Sequence, residues 1–384
     1  MAKAGLNMRM LYAFPEPFPL DRARGVQVAH SVCALAAEGN SVHFAYVPAE
    51  GTHEPFSAYG LTQPDTVALA PLSRGLGRPL PLRSNRLFSF RLGRWLKNAC
   101  RNGKCPRCII VRHVKLAHEL LRKFPGIPLI YEAHEVFAET APARTREKLH
   151  RLESTVLHGA AVVSANSGET ARKLINRYHL IRKIFVIPNG VELPQSLPPK
   201  PWREAHLHVI YTGSFFKWKG VRDLVDAGQW LPGFRITLVG GEHRQIEELR
   251  GHVAAGGAEI AFSGHLPHRR TMAALAGSCI AVLPNRNDPD SAFTSPLKLF
   301  EYMASGCAVV ASDLQPIREI ADENDVIWVK PGAPRALAEA IRKLAAEPET
   351  ARQMGERLRL KARNYTWGAR AKKQVEAIRS VLDA

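Results

Sequence analysis

Residues 294–313, TSPLKLFEYMASGCAVVASD, combine groups that could hold a phosphorylated sugar. Ser295 and Pro296 predict a helix start, because a hydroxyl can cap a helix and proline suits its first turn. The unpaired backbone N–H groups and the positive dipole at such a start bind phosphate well. Glu301, one to two turns further on, could accept a hydrogen bond from a sugar hydroxyl. The stretch therefore predicts a site for a phosphorylated sugar.

The same stretch predicts how this helix is held. Its apolar side chains recur at helical spacing and should face inward: Leu297, Phe300, Met303 and Ala304. Lys298, Glu301 and Tyr302 lie off this face and need not be buried. Gly306 ends the helix, and residues 308–311 form a short apolar run typical of a buried parallel strand.

A second group of candidates lies around the loop 214–220, which follows an apolar strand ending at Gly213. Lys219 in this loop could neutralise a diphosphate leaving group, which carries about two negative charges and needs electrostatic help to depart. Gly240 and Gly241 follow the next strand and permit close backbone approach. The alternatives are an exposed loop charge for Lys219 and a simple chain turn for the glycines.

The first half of the chain carries a candidate histidine. The segment YEAHEVF places Glu132, His134 and Glu135 at the carboxyl end of a predicted buried strand. Ligand sites of doubly wound sheets lie at such strand ends. His134 could donate a hydrogen bond to a sugar or shuttle a proton, although a lone histidine is often structural.

The loop DRARG at residues 21–25 leads from the first strand into a helix. Loops at the carboxyl ends of parallel strands carry ligand sites, so Asp21, Arg24 and Gly25 are further candidates. A surface turn is the competing interpretation.

Strands and helices alternate along the chain, as is typical of doubly wound α/β domains. The first strand, residues 8–14, should end at the prolines of PEPFP, and residues 26–37 and 41–47 predict the next helix and strand. Residues 48–84 are rich in Pro, Gly and Ser and carry little periodic signal. The proline-dense segment 192–202 is the best domain boundary. Two α/β domains facing a cleft are therefore predicted.

The composition of the 384 residues is that of an ordinary globular protein, with 46% hydrophobic and 23% charged residues. No apolar run approaches the ~20 residues of a membrane helix, and the start MAKAGLNMRMLYAF is not a secretory signal. A cytoplasmic protein is therefore expected.

The formal net charge of +18 predicts affinity for anionic surfaces. Residues 83–123 carry twelve Lys or Arg against one acidic residue, Glu119, which indicates binding to a membrane surface or to nucleic acid. Placed on a helix, the segment from Arg86 to Arg101 has an apolar and a basic face: Phe88, Leu92, Trp95, Leu96 and Ala99 against Arg86, Arg94, Lys97 and Arg101. Such a helix could lie in an anionic headgroup layer, or its apolar face could pack inward.

Six cysteines are present, and in a cytoplasmic chain they should be reduced: Cys33, Cys100, Cys105, Cys108, Cys279 and Cys307. The segment CRNGKCPRC contains a Cys-x-x-Cys pair, but no second pair supplies the remaining ligands of a metal site. A site completed by His113 or His118 is the alternative. The expectation is that no metal is bound.

Five motifs occur in order in the second half: IPNGVE, YTGSFFKWKGV, LVGGE, FSGHLP and SPLKLFEYMASGCAVVASD. Their order and spacing resemble those of the family 4 glycosyltransferases of GT-B fold. The resemblance covers nearly the whole chain and is strongest over residues 185–319. In the first half, DRARGVQ and the histidine of YEAHE also fit.

The resemblance implies two Rossmann-like domains, an acceptor-binding one at residues 1–190 and a nucleotide-sugar-binding one at 191–363. A terminal helix, residues 364–384, would return to the N-terminal domain. The implied reaction is metal-independent transfer of a hexose, with retained anomeric configuration, from a UDP- or GDP-linked sugar to a hydroxyl. The expected acceptor is a lipid-linked molecule or a saccharide of surface polysaccharide or lipopolysaccharide synthesis. The enzyme would then be peripheral at the inner face of the cell membrane.

The family pattern also assigns roles to matching residues. Glu301 matches a glutamate that binds the nucleotide's ribose, and the backbone of residues 263–266 would contact the base. Ser214 replaces an arginine that is frequent in the family, so one phosphate contact is missing or comes from Lys217. Phe293 stands where the family has another glutamate, which helps to hold the donor sugar. The candidates are catalytic His134 and Lys219, and donor-binding Gly25, Gly213, Ser214, Gly241, Gly264, His265, Ser295, Pro296, Leu297 and Glu301.

Two other functions stay open at this point. A nucleotide-sugar epimerase or hydrolase of GT-B fold would keep the architecture and change the chemistry. A basic nucleic-acid-binding protein would explain the net charge, but it would not explain the ordered glycine and lysine loops, and the chain lacks an aromatic and basic recognition motif. No nucleic-acid partner is therefore expected.

Overall fold

The computed structural model describes residues 7–20, 22–51, 54–74, 85–194, 200–288, 291 and 297–383. The chain forms two compact units. The N-terminal unit consists of Met1–Asn189 and Trp367–Ala384, and the C-terminal unit is Gly190–Thr366. The family resemblance implied boundaries after residues 190 and 363. Each unit is a parallel sheet with helices, so the predicted α/β class is confirmed.

The N-terminal sheet has, among the described residues, seven strands in the order β3-β2-β1-β4-β5-β6-β7. These strands are β1 (Arg9–Phe18), β2 (Ser41–Pro48), β3 (Val67–Pro71), β4 (Cys108–Val111), β5 (Leu129–Ala133), β6 (Val162–Ala165) and β7 (Phe185–Val186). All the pairings are parallel. The carboxyl ends of the strands therefore share one edge of the sheet, where ligands bind in doubly wound folds.

The helices that follow these strands cover the sheet. They are α1 (Ala23–Ala37), α2 (Asn85–Arg101), α3 (Val114–Lys123), α4 (Phe137–Thr140), α5 (Ala143–Gly159) and α6 (Gly168–Tyr178). Neither β3 nor α6 was predicted from the sequence. The signal for α6 was Ser167, whose hydroxyl accepts a hydrogen bond from the Thr170 N–H at 3.1 Å and caps the helix.

The first strand continues through the prolines that were expected to end it. β1 runs to Phe18, with a bulge between Phe14 and Pro17. β4 pairs with β1 only as far as Ala13, so the prolines lie where β1 has a single neighbour. Proline lacks an N–H and is tolerated at bulges and unpaired edges, so the predicted break at PEPFP is wrong.

The apolar stripe of α2 packs into the N-terminal unit. Phe88, Leu92 and Leu96 are fully buried, and the half-buried Trp95 contacts the ring of His43 edge-on with centroids 5.1 Å apart. This face is therefore not available to lipid, and of the two interpretations of the stripe the inward-packing one is correct. No described helix is long and apolar enough to cross a membrane.

The end of α2 brings two cysteines together, and the structure pairs Cys100 with Cys105 in a disulfide. The expectation that all six cysteines are reduced is therefore wrong for these two. The physical reason is the tight turn at Gly103, which has a φ of 68° and reverses the chain directly after the helix. The N–H of Lys104 donates to the carbonyl of Ala99 at 2.8 Å and closes the turn.

The C-terminal sheet has, within its described residues, six parallel strands in the order β10-β9-β8-β11-β12-β13. They are β8 (His208–Thr212), β9 (Arg235–Val239), β10 (Glu259–Gly264), β11 (Ile280–Leu283), β12 (Ala308–Ser312) and β13 (Val326–Val329). Side chains alternate between two apolar cores, since Val209 and Tyr211 belong to one core and Ile210 to the other. Burial on both faces explains the continuous apolar runs of these strands.

Helices cover both faces of this sheet. They are α7 (Trp202–Ala205), α8 (Val221–Ala227), α9 (His243–Arg250), α10 (His268–Ala276), α11 (Leu297–Ala304), α12 (Gln315–Arg318), α13 (Pro334–Ala346) and α14 (Pro348–Ala362). The sheet order reverses between β8 and β11. The loops that follow these two strands therefore flank the topological switch point of the unit.

The terminal helix α15 (Trp367–Leu382) packs on the N-terminal unit. Its Arg370 donates a hydrogen bond to the Glu132 carboxylate at 2.6 Å, and its Gln374 donates to the same oxygen at 3.0 Å. The other carboxylate oxygen accepts from the Tyr12 hydroxyl at 2.6 Å. Glu132 and Arg370 are only 2% and 6% exposed, so this ion pair is buried in the core of the unit.

Candidate active site

The loops after β8, β9 and β10 are joined side by side at one edge of the C-terminal sheet. The N–H of Gly213 donates to the carbonyl of Val239 at 2.8 Å, and the N–H of Gly240 donates to the carbonyl of Gly264 at 2.6 Å. Three predicted site residues therefore lie at the ends of adjacent strands along the same edge, with Gly264 as the last residue of β10 and Gly213 and Gly241 just after β8 and β9.

The loop after β9 has no room for a side chain at Gly240 or at Gly241. A Cβ at Gly240 would lie 2.1 Å from the carbonyl oxygen of Gly213, and a Cβ at Gly241 would lie 2.2 Å from the ring of Phe215. Both glycines also have positive φ angles, 118° and 79°. The close packing of the loops is therefore a sufficient reason for glycine at these positions, and their contact with a ligand stays a prediction.

The loop 214–220 is fixed to the loop that follows β11. The N–H of Arg286 donates to the carbonyl of Trp218 at 2.9 Å. The Arg286 guanidinium forms two hydrogen bonds to the Asp223 carboxylate in α8, at 2.6 and 2.8 Å. A Cβ at Gly220 would lie 1.8 Å from the carbonyl oxygen of Pro284. These contacts hold the loop across the switch point.

Lys219 is half-buried in this loop, and its amine lies 3.6 Å from the centroid of the Trp218 ring. A cation over an aromatic face is held by the ring's electrostatic field. Lys217, two residues earlier, is exposed. The half-buried amine of Lys219 therefore has a defined position, which the alternative of a simple exposed charge does not explain.

Glu301 lies in the middle of α11, and its side chain is 21% exposed. Its carboxylate is 3.8 Å from the Nδ1 atom of His268, the first residue of α10. Burial raises the pKa of Glu301, and the charges of His268 and Lys298 oppose that rise. A carboxylate in this position can accept hydrogen bonds from hydroxyl groups.

Lys298 extends from the first turn of α11 to the end of β8. Its amine donates a hydrogen bond to the Tyr211 hydroxyl and lies 4.1 Å from the centroid of that ring. A Cβ at Gly213 would lie 2.1 Å from Cε and 2.4 Å from Nζ of Lys298. Lys298 was not among the residues predicted for the site. Its only signal was a position one helical turn before Glu301.

Tyr302, which was expected to need no burial, is fully buried. Its hydroxyl accepts a hydrogen bond from the Thr212 N–H at 2.9 Å. This bond satisfies the last N–H of β8 and ties α11 to the strand end that carries Gly213. The expectation for Tyr302 is therefore wrong, because α11 buries more of its circumference than a single apolar stripe.

The remaining predicted donor residues fall into two groups. Ser295 and Pro296, together with Phe293, lie outside the described residues. Leu297 is the half-buried first residue of α11, Ser214 is half-buried, and His265 is exposed directly after β10. The Ser214 carbonyl accepts a hydrogen bond from the Tyr211 hydroxyl at 2.8 Å.

Two predicted site residues, Gly25 and His134, belong to the N-terminal unit. Gly25 lies near the start of α1, where a Cβ would be 2.2 Å from the carbonyl oxygen of Leu20 and 2.5 Å from the Tyr59 hydroxyl. Glycine is therefore required by packing at this position. The neighbouring candidate Asp21 lies outside the described part of the chain.

His134 follows β5 and has a buried Nε2 atom with no hydrogen-bond partner within the described residues. Burial is the main reason that the pKa of His134 lies well below its ordinary value, and the positive charge of Arg112 lowers it further. The ring is therefore neutral near pH 7. A neutral ring with an unused nitrogen favours the hydrogen-bonding role over the proton shuttle, and both roles stay predictions.

The segment after β5 is hydrogen-bonded to a buried carboxyl group, that of Glu153 in α5. The N–H groups of Phe137 and Ala138 donate to this carboxyl at 3.2 and 3.3 Å, and the Tyr178 hydroxyl donates at 2.5 Å. Burial raises the pKa of Glu153 to about 7, although all three hydrogen bonds lower it. The residues that follow His134 are therefore held by a group that titrates near neutral pH.

Glu153→Gln is expected to flatten the dependence of stability on pH. The pKa of Glu153 is raised from 4.5 to about 7 in the folded state, so its contribution is full below pH 4.5 and is lost as pH rises through 7. The loss amounts to at most about 3 kcal/mol. Urea unfolding at pH 5 and pH 8 measures it, with Glu147→Gln on the exposed face of α5 as the control. Equal pH dependence in wild type and Glu153→Gln would contradict the assignment.

No group of three or more His, Cys, Asp or Glu side chains in the described ranges is arranged to hold a metal ion. Cys108 of the Cys-x-x-Cys pair is buried, and burial raises its pKa to about 12. Cys105 is held in the disulfide with Cys100. Two of the three thiols of CRNGKCPRC are therefore paired with each other in this structure, and the absence of a metal stays an expectation.

Two family models match the chain, one in each half. The model described as "Glycosyltransferase Family 4" matches residues 25–195, and the model described as "Glycosyl transferases group 1" matches residues 206–347. A curated relative, the D-inositol 3-phosphate glycosyltransferase of Arthrobacter sp. (strain FB24), is 24% identical over 291 residues. This match covers 68% of the chain and 67% of the relative.

Solved structures match over nearly the whole chain. Sucrose-phosphate synthase from Thermosynechococcus elongatus has a TM-score of 0.76 and 20% identity, with 97% of this chain and 98% of that one covered. The Anabaena protein Alr3699/HepE, in complex with UDP, has a TM-score of 0.72 and 16% identity, with coverages of 97% and 100%. At these identities the structures establish the fold. The chain belongs to the family 4 glycosyltransferases and has their GT-B fold of two Rossmann-like domains.

Proposed function

We propose that the protein transfers a hexose from a nucleotide-sugar to a hydroxyl group of a lipid-linked or saccharide acceptor, with retention of anomeric configuration and without a metal ion. Glycosyl transfer follows from the family, and the donor, acceptor and stereochemistry are the proposal. The proposed role of the product is in surface polysaccharide or lipopolysaccharide synthesis.

The observation that carries the donor assignment is the convergence of groups at the switch point of the C-terminal unit. Lys219 offers a half-buried amine and Glu301 a partly buried carboxylate, both from elements that meet at the end of β8. An amine suits a diphosphate, and a carboxylate suits the vicinal hydroxyls of a ribose. A nucleotide-sugar carries both groups.

The chemistry that these residues supply is electrostatic. Cleavage of the sugar–phosphate bond leaves its electrons on the nucleoside diphosphate, whose oxygen gains negative charge. The Lys219 amine is in place before the reaction and would stabilise that charge without rearrangement. The solved structures of Alr3699/HepE hold UDP and UDP-glucose, which supports a UDP-linked donor for this chain.

The N-terminal unit is proposed to bind the acceptor. His134 offers an unused Nε2 atom at the carboxyl end of β5, the usual edge for ligands in this fold. The Arthrobacter relative is named a D-inositol 3-phosphate glycosyltransferase, and an inositol phosphate is a polyhydroxylated molecule. A hydroxyl-bearing acceptor for this chain agrees with that relationship.

A thermal-shift screen against UDP-, GDP-, ADP- and dTDP-hexoses tests the proposal. A ligand that binds only the folded state raises its melting temperature, by an amount that corresponds to about 2.7 kcal/mol at 100 times the Kd. One nucleotide-sugar should stabilise the protein and should lose its hexose to an acceptor fraction. Turnover of the donor without any acceptor would favour the epimerase or hydrolase instead, and no response to all four would contradict the donor assignment.

We propose an anionic membrane surface as a partner, and the outer face of α2 would contact it. Arg86, Arg94 and Lys97 are exposed on this helix, next to Phe90, which is 57% exposed. Arg91 is held inward by a hydrogen bond to the Ser73 carbonyl at 2.9 Å. The basic side chains, and not the buried apolar stripe, would therefore contact anionic headgroups.

Replacing Arg86, Arg94 and Lys97 together with glutamine is expected to lower binding to vesicles of anionic lipid about 100-fold. Each basic residue near an anionic surface contributes about 1 kcal/mol. Vesicle sedimentation at two salt concentrations measures the effect. Glutamine at three exposed basic residues of α13, Arg335, Arg342 and Lys343, is the matched control. Equal sedimentation of both triple variants would exclude α2 as the contact.

A further inference from the structure

We propose that Lys298 is a second ligand of the donor's diphosphate and acts together with Lys219. This inference rests on the proposed function and adds a specific residue to it. It concerns a side chain of α11 that no sequence pattern had placed in the site.

The position of the Lys298 amine is the first argument. The side chain leaves the first turn of α11 and ends directly against the backbone of Gly213, within 2.4 Å of where a Cβ would be. Gly213 has a φ of 122°, and it joins β8 to the loop that carries Lys219. The missing side chain of Gly213 is therefore what allows the amine to reach the end of the strand.

The hydrogen bonding of this amine is the second argument. It donates to the Tyr211 hydroxyl, and that hydroxyl donates onward to the Ser214 carbonyl. An ammonium group has three donors. Within the part of the chain that the structure describes, no carboxylate forms an ion pair with Lys298, so the Tyr211 contact leaves donors for a ligand.

The charges around Lys298 are the third argument. Burial is the main reason that the pKa of Lys298 lies well below its ordinary value, and the positive charge of Lys219 lowers it further. The charge of Glu301 opposes this shift only in part. Two amines that repel each other at a strand end are stabilised by an anion with more than one negative charge. A diphosphate is such an anion, and Ser214, the next residue after Gly213, contributes no charge.

The experiment compares the affinities of nucleoside diphosphates and monophosphates by calorimetry. UDP and UMP, GDP and GMP, and ADP and AMP are titrated into wild type, Lys298→Met and the control Lys343→Met, which removes an exposed lysine of α13. Methionine keeps the aliphatic packing on Tyr211 and removes the charge. The diphosphate that binds wild type should bind Lys298→Met about 10- to 100-fold more weakly, while its monophosphate changes less than about threefold.

Three results would overturn the inference. If Lys298→Met keeps the diphosphate affinity of wild type, or loses diphosphate and monophosphate affinity equally, Lys298 is a structural residue. If wild type binds none of the three diphosphates, the proposed function itself fails, and this is seen before any variant is compared. Should Lys298→Met not fold, Lys298→Gln gives a second comparison, because it also removes the charge and keeps a polar side chain.

Discussion

Lys219→Met is expected to lower the kcat of sugar transfer about 100- to 1000-fold, while the melting temperature changes by less than ~2 °C. Removing one group that stabilises developing charge in a transition state typically costs this much. The folded state loses the contact of the Lys219 amine with the Trp218 ring, and Arg286 and Gly220 hold the loop through contacts of their own. Release of nucleoside diphosphate from the donor that the screen identifies measures the rate.

The matched control for this experiment is Lys343→Met, which removes an exposed lysine from α13 of the same unit. It should leave kcat within about twofold of wild type, as surface substitutions usually do. If Lys219→Met also retains kcat within about threefold, Lys219 is not the group that assists departure of the diphosphate. A loss of rate that comes with a fall of several degrees in melting temperature would indicate a structural role instead.

Arg370→Met is expected to lower the free energy of unfolding by about 3–5 kcal/mol, because it leaves Glu132 buried without a counter-charge. Glu132 is 2% exposed, and Arg370 donates to it at 2.6 Å. Glu132→Gln in the same chain should recover most of the loss, since it removes the unpaired charge. Urea unfolding of both variants and of Arg370→Met/Glu132→Gln measures the effect.

The pH dependence of this pair provides an independent check. Burial alone would raise the pKa of Glu132, but the charges and hydrogen bonds of Arg370 and other neighbours bring it down to about 2. Its contribution to stability is therefore present above about pH 4.5 and is lost as pH falls toward 2. In Arg370→Met burial dominates, so the deficit relative to wild type should shrink as pH is lowered from 7 to 4. A deficit that stays constant with pH would contradict the electrostatic account.

Local patterns were enough to predict the fold class and most strand ends of the C-terminal unit. Alternating apolar runs and glycine turns predicted the strands of the C-terminal unit, because both faces of its sheet are buried. The same patterns predicted that Gly213, Gly241 and Gly264 end strands, and parallel pairing then brings their loops to one edge. Glu301 followed from the position of its helix.

The features that could not be predicted depend on contacts between residues far apart in sequence. Glu132 and Arg370 are separated by 238 positions, and nothing local in YEAHE or in the terminal helix indicates that they pair. Helical spacing shows which residues share a face, and it indicated only that Lys298 lies off the apolar stripe and need not be buried. Spacing does not show that a flexible lysine side chain crosses to Gly213.

Two further differences have a similar origin. The prolines of β1 break strands in most contexts, and they are accommodated here because β4 stops pairing at Ala13. The disulfide between Cys100 and Cys105 depends on the turn at Gly103, which brings the two Cα atoms to 4.0 Å. The expected cytoplasmic location had indicated reduced thiols.

A crystal structure of the protein with the nucleoside diphosphate that binds it most tightly would show whether the donor lies at this edge of the C-terminal sheet. The diphosphate should lie within hydrogen-bond distance, about 3 Å, of the Lys219 amine, and a ribose hydroxyl should donate to the Glu301 carboxylate. A nucleotide bound elsewhere in the chain, or bound at this edge with its ribose away from Glu301, would contradict the donor assignment.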